Sequence, residues 1–139
     1  MRFMVLVKYV ENDPDIPEPD EEMYAAMARY NEELVKAGVL LAGDGLHPSD
    51  QGALVKFTDG VPTVIDGPFA EGKELVGGYW LFEVKSREEV IEWVKRIPAD
   101  AGVTSRVEVR QLLTDDDFAA MTDEVRDRQA RMREQTQQS

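Results

Sequence analysis

A chain of 139 residues at 42% hydrophobic composition fits one domain with a real core, read as residues 1–139 with 115–139 as a helical extension. Its net charge of −12, from 16 basic and 28 acidic residues, excludes a general nucleic-acid or anionic-lipid binder, because both partners require a basic surface. Zero cysteines and the lack of any apolar run of about 18 residues exclude disulfides, thiolate metal sites, cysteine nucleophiles and a transmembrane helix.

"RFMVLVKYV" reads as a first strand over residues 2–10. The acids that follow it, with no small-residue cleavage site, argue against a signal peptide, so a cytoplasmic location is expected. Residues 11–22, "ENDPDIPEPDEE", hold seven acids and read as a solvated loop leading into a helix. Pro14, Pro17 and Pro19 keep that loop irregular. Asp20 then has the position of an N-cap. Met23, Met27, Tyr30 and Leu34 recur at helical spacing and read as core, and Gly38 ends the helix.

"VLLAGDGLHP" reads as a second strand, and "GALVKFTDGVPTVID" as a hairpin turning at Asp59-Gly60. "GYWLFEV", residues 78–84, is a further strand. Ser86 followed three residues later by Glu89 forms a capping-box pattern. It opens a helix with Val90, Val94 and Ile97 on one face, stopped by Pro98. "SRVEVRQLL", residues 105–113, is a last strand. A helix is expected from about Asp117, with Phe118, Met121, Val125 and Met132 as a thin apolar stripe packed on the body.

With the hairpin removed, the order is βαββαβ, the ferredoxin-like α+β plan, in which both main helices cover one sheet face. Alternation along the strands assigns Phe3, Val5, Val7, Trp80, Phe82, Val84, Val107 and Val109 to that face. The other face then carries Met4, Leu6, Tyr79 and Leu81 beside Lys8, Glu83, Arg106, Glu108 and Arg110. It is too apolar to stay wet, so a homodimer is expected. Lys8, Glu83 and Arg106 read as charges that pair across the interface, with pocket lining as the alternative. Arg110 reads as a pocket cation for a carboxylate or phosphate, with Tyr79 as a neighbouring ligand contact.

The stretch "DGPFAEGKELVGG", residues 66–78, is the strongest candidate for a site. Asp66 can cap a turn, Gly67 permits unusual backbone angles, Pro68 fixes φ, and Phe69 can anchor the corner in the core. Glu71, Lys73 and Glu74 are then presented by a rigid corner. Gly77 and Gly78 allow a bulge or a close approach. No G-x-S-x-G, H-E-x-x-H or glycine-rich phosphate loop occurs, and with one histidine no metal or other cofactor is expected. The surviving chemistry is acid–base, with Asp66 or Glu71 as base, Gly67, Pro68 and Phe69 shaping the site, and Lys73 or Arg110 holding an anionic group.

"AGVLLAGDGLHPS", "DGPFAEGKELVGGYWLFEV", "EEVIEWVKRIP" and "VEVRQL" resemble, in order and spacing, the YCII-related proteins, and among them the branch named for the motif DGPFAETKE. Gly72 stands where that motif has threonine. The resemblance implies a ferredoxin-like, dimeric α+β barrel, cytoplasmic and mostly bacterial, with a cavity near the dimer interface. The His–Asp pair proposed for some relatives is not carried over, and His47 reads as a loop-edge residue. Two functions are expected in competition. One is a cofactor-independent lyase or isomerase acting on a small anionic metabolite. The other is a non-catalytic metabolite-binding or regulatory module, to which the resemblance adds a link with extracytoplasmic-function sigma factors.

Overall fold

The computed structural model describes residues 1–69 and 73–137. Strand β1 (Arg2–Val10) leads to helix α1 (Glu21–Lys36), then to β2 (Leu40–Gly45). A hairpin of β3 (Ala53–Thr58) and β4 (Val61–Asp66) precedes β5 (Glu74–Glu83). Helix α2 (Arg87–Val94), strand β6 (Arg106–Gln111) and helix α3 (Asp123–Gln137) complete the chain. The main sheet is antiparallel in the order β2-β5-β1-β6, and the hairpin forms a separate two-stranded sheet. This is the ferredoxin-like arrangement expected from the order of elements.

Local chemistry sets most boundaries. The Asp20 carboxylate accepts from the Met23 amide at 2.8 Å and caps α1, and Gly38 leaves the helix at φ +71°. Asp59 and Gly60 both have positive φ, as the tight turn between β3 and β4 requires. Ser86 caps α2 by accepting from the Glu89 amide. Glu89 returns its carboxylate to the amide of Lys85, one residue before the cap.

The core forms where the strand alternation and the helix stripes meet. Phe3, Val5, Trp80 and Phe82 from the sheet pack with Tyr30, Leu34, Val39, Val84 and Val90. Val7, Val107 and Val109 lie against this cluster, as does Met27. Each large apolar side chain buried there contributes about 1.5–3 kcal/mol. The Tyr30 hydroxyl donates to the carbonyl of Trp93 at 2.8 Å and ties α1 to α2. Burial pushes the Tyr30 phenol up to about 12.

Three boundaries differ from the sequence expectation. Strand β5 begins at Glu74, four residues early, because Gly77 is absorbed as a bulge: Val7 faces Gly78 and Lys8 faces Val76. Helix α2 ends at Val94 and tightens into i→i+3 bonds at Arg96 and Ile97, since Pro98 disfavours helical angles just before it. The last helix begins at Asp123 because a separate short turn, Asp115–Asp117, is closed by Thr114 and Asp117, and the Thr122 hydroxyl accepts from the Val125 amide. Phe118 and Met121 therefore fall in the connection. Among the described residues, the side-chain ties of α3 to earlier residues include those of Arg126 to Phe118 and Asp116 and of Arg133 to Asp115. They hold it to the preceding turn.

Candidate functional site

The 66–69 corner is built against a residue far away in sequence. Ser49 is only 8% exposed. Its hydroxyl donates to Glu11 Oε2 at 2.6 Å and accepts from the Phe69 amide at 3.0 Å. Its own amide donates to Glu11 Oε1 at 2.5 Å, and the Tyr9 hydroxyl donates to the same oxygen at 3.0 Å. The end of β1, the connection after β2 and the corner after β4 thus meet on one serine. The Gly67 amide adds a bond to the carbonyl of Gly52.

This geometry revises the roles expected at the corner. Asp66 does not cap it, because the residue two positions on is Pro68, which has no N–H; Ser49 takes the bond from Phe69 instead. Gly67 is required for space and not for an unusual backbone angle. A Cβ on it would stand 1.6 Å from the carbonyl oxygen of Ser49, and its φ is not among the positive ones. The Gly67–Pro68 peptide is cis. Phe69 lies outside the core cluster and packs its ring near Gly52. Glu11 is not a freely solvated loop acid. Hydrogen bonds from the Ser49 side chain, then from its backbone, hold its carboxyl below the usual range. Burial first, and then the bond to Glu11, raises the Tyr9 phenol.

Beside this lock lies a cavity of about 380 Å³. Leu46, Pro48, Ala53, Phe69, Leu75 and Val76 give it apolar walls, and Glu11, His47, Ser49 and Gln51 are the polar side chains on its lining. A carboxylate has about four acceptor positions. Among the described residues three on Glu11 are used, two at Oε1 and one at Oε2, so these leave room for a donor at Oε2.

The other expected site residues are dispersed. Lys73 is exposed just before β5, and Glu71 lies outside the described residues. Tyr79 faces Leu6 on the side of the sheet away from the helices. Arg110 faces Met4, whereas Glu11 follows the last residue of β1. Seven residues of strand separate these two levels, roughly 23 Å at about 3.3 Å per residue. Within one chain, Arg110 and the corner do not share a cavity. The charges of the bare face pair within the chain, Lys8 and Arg110 with Glu108 and Arg106 with Glu74.

Sequence reasoning missed Glu11, Tyr9 and Ser49. Glu11 was hidden in an acidic run, and Ser49 is one small hydroxyl in a loop. The one available signal was that "HPSD" places a serine where a glycine- and proline-rich chain must satisfy its amides.

A four-stranded antiparallel sheet with two helices on one face, an inserted hairpin and a corner locked to the end of β1 defines a ferredoxin-like α+β domain with a small apolar pocket at one end. The chain belongs to the YCII-related domain family, whose pattern it matches over residues 1–113. It is also similar to an uncharacterized protein of Rhizobium meliloti (strain 1021), with 30% identity over 95 residues, 68% of this chain and 77% of that protein. The family match ends just before the turn that leads to α3.

Proposed function

We propose that the protein is a homodimeric small-molecule domain that acts at the pocket beside the 66–69 corner, by acid–base chemistry of its own side chains. The observation that carries this reading is the pocket itself. Its walls are apolar, and Glu11 and His47 are two of the few polar groups on its lining. That composition is the usual one for a ligand site.

Glu11 stays ionised, so it is a fixed negative charge with one open acceptor position and not a strong base. His47 is exposed and makes no hydrogen bond to another described residue, which leaves its ring nitrogens open to a ligand. The ligand that suits these groups is small, largely apolar, and bears a hydrogen-bond donor or a cationic end. The small anionic metabolite expected from the sequence relied on Arg110 and Lys73. Arg110 lies far from this pocket, and the chain's net charge of −12 opposes an anion.

The homodimer is supported by the bare sheet face. Its centre is Met4, Leu6, Tyr79 and Leu81, and among its flanking charges Lys8, Arg106 and Arg110 balance Glu74, Glu83 and Glu108. In so acidic a chain, a neutral apolar face is where two copies can meet without repulsion.

Thermal-shift and saturation-transfer NMR screening of neutral, cationic and anionic fragments tests the reading. Donor-bearing hits that are lost on Val76→Trp, which fills the pocket, are expected. Hits that persist in Val76→Trp, or that are all anionic, would refute it. Turnover of a hit distinguishes an enzyme from a binding module. The regulatory alternative has one observation in its favour: Val125 and Met132 are exposed seven residues apart on α3. Capture of a sigma factor that depends on both residues, without small-molecule binding, would favour it.

A further inference from the structure

The hairpin β3–β4 is out of balance with its surroundings. Every residue from Ala53 to Asp66 is exposed. The register puts Val55 with Val64 and Phe57 with Pro62 on one face, and Leu54 with Ile65, Lys56 with Thr63 and Thr58 with Val61 on the other. The first face is therefore largely apolar and the second mixed, and Phe57 is 69% exposed. A lone two-stranded hairpin is marginal in water. One with so greasy a face needs a cover, and its own chain supplies none among the described residues.

We propose that this hairpin is an arm that packs on a second copy of the chain, and that the contact closes the pocket at the 66–69 corner. Three observations select a second copy. First, the hairpin carries only Lys56, Asp59 and Asp66 as charges in a chain of net −12, so two copies avoid repulsion there. Second, its six large apolar side chains, roughly half exposed, offer on the order of 500 Å² per copy. Two such arms reach the roughly 1,000 Å² that a stable interface requires. Third, the pocket and the arm share a root. Gln51, Gly52 and Ala53 line the cavity and run directly into β3. A copy seated on the root of the hairpin therefore stands against residues that line the pocket. The proposal rests on the homodimer reading and adds which segment makes the contact.

The test is sedimentation equilibrium of the full chain, wild type, Phe57→Asp/Val64→Asp and Leu81→Asp, with folding checked by near-UV circular dichroism from the buried Trp80. The expected result is a wild-type dimer whose dissociation constant rises about a hundredfold or more in Phe57→Asp/Val64→Asp, with the Trp80 signal unchanged. A dissociation constant within threefold of wild type would overturn the arm. If Leu81→Asp dissociates the dimer while the hairpin variant does not, the homodimer stands and the arm falls. A monomeric wild type at 50 μM (roughly the range for a weak complex) overturns both. Should the hairpin variant fail to fold, hydrogen exchange of wild-type residues 53–66 decides. Exchange that slows as concentration passes through the dissociation constant supports the arm, and exchange independent of concentration overturns it.

Discussion

Ser49 grips Glu11 twice, donating its amide to one carboxylate oxygen and its hydroxyl to the other. The pair joins the end of β1 to the connection after β2. Because Ser49 also accepts from Phe69, the corner after β4 is held by the same residue. A serine engaged in this way has no hydroxyl proton left for nucleophilic work, so its role is to position the corner and to keep Glu11 charged.

The contact should appear in the acid limb of stability. Glu11 has a folded value below its unfolded one, so the unfolded chain binds more protons as pH falls. The stability that Glu11 contributes is full above the ordinary glutamate range and is lost as pH falls through its depressed folded value. Glu11→Gln should therefore lower the urea midpoint at pH 7, and the gap to wild type should narrow towards pH 3. A gap that is constant with pH would show that the carboxylate charge is not involved.

Ser49→Ala should destabilise by about 1–3 kcal/mol, the cost of leaving buried polar partners unpaired, here the Phe69 amide and one Glu11 oxygen. Gly67→Ala should be worse, because the added carbon collides with backbone at Ser49 and no flexible side chain can yield. Denaturant melts of the two variants give the ranking. A Gly67→Ala protein as stable as wild type would contradict the packing of the corner.

Phe69 separates a pocket wall from a core anchor. Because it is half-buried beside the cavity, Phe69→Ala should cost less than the 3–5 kcal/mol typical of fully buried aromatics. Leu34→Ala, at a fully buried core position, should cost about 3–5 kcal/mol. Phe69→Ala should also weaken fragment binding, which Leu34→Ala should leave intact in the folded fraction. Equal losses of stability would return Phe69 to the core.

Deleting residues 115–139 should shift the melting temperature by less than about 4 °C, equivalent to about 1 kcal/mol for a domain of this size. The bidentate Arg133–Asp115 pair and the bonds of Arg126 reach only the preceding turn, which the deletion removes with the helix. A larger loss in scanning calorimetry would show that α3 packs on the body, as its apolar stripe suggested.

The sequence by itself determined the elements and their order. Period-2 and period-3.6 patterns, the Asp20 and Ser86 caps and the Asp59-Gly60 turn are local, and each fixes its element through backbone angles and hydrogen bonds within a few residues. The two faces of the sheet followed from alternation for the same reason. Tertiary structure decided what meets what. Glu11 and Ser49 are 38 residues apart, and Ser49 and Phe69 are 20 apart; no periodicity links them, and only the antiparallel sheet brings the end of β1 beside the corner. The same geometry parts Arg110 from that corner. Strand β6 runs opposite to β1, so its C-terminal residues lie beside the start of β1 while Glu11 lies past its end. The sequence displayed the charged and rigid residues of a site, but strand direction decided which of them could share one.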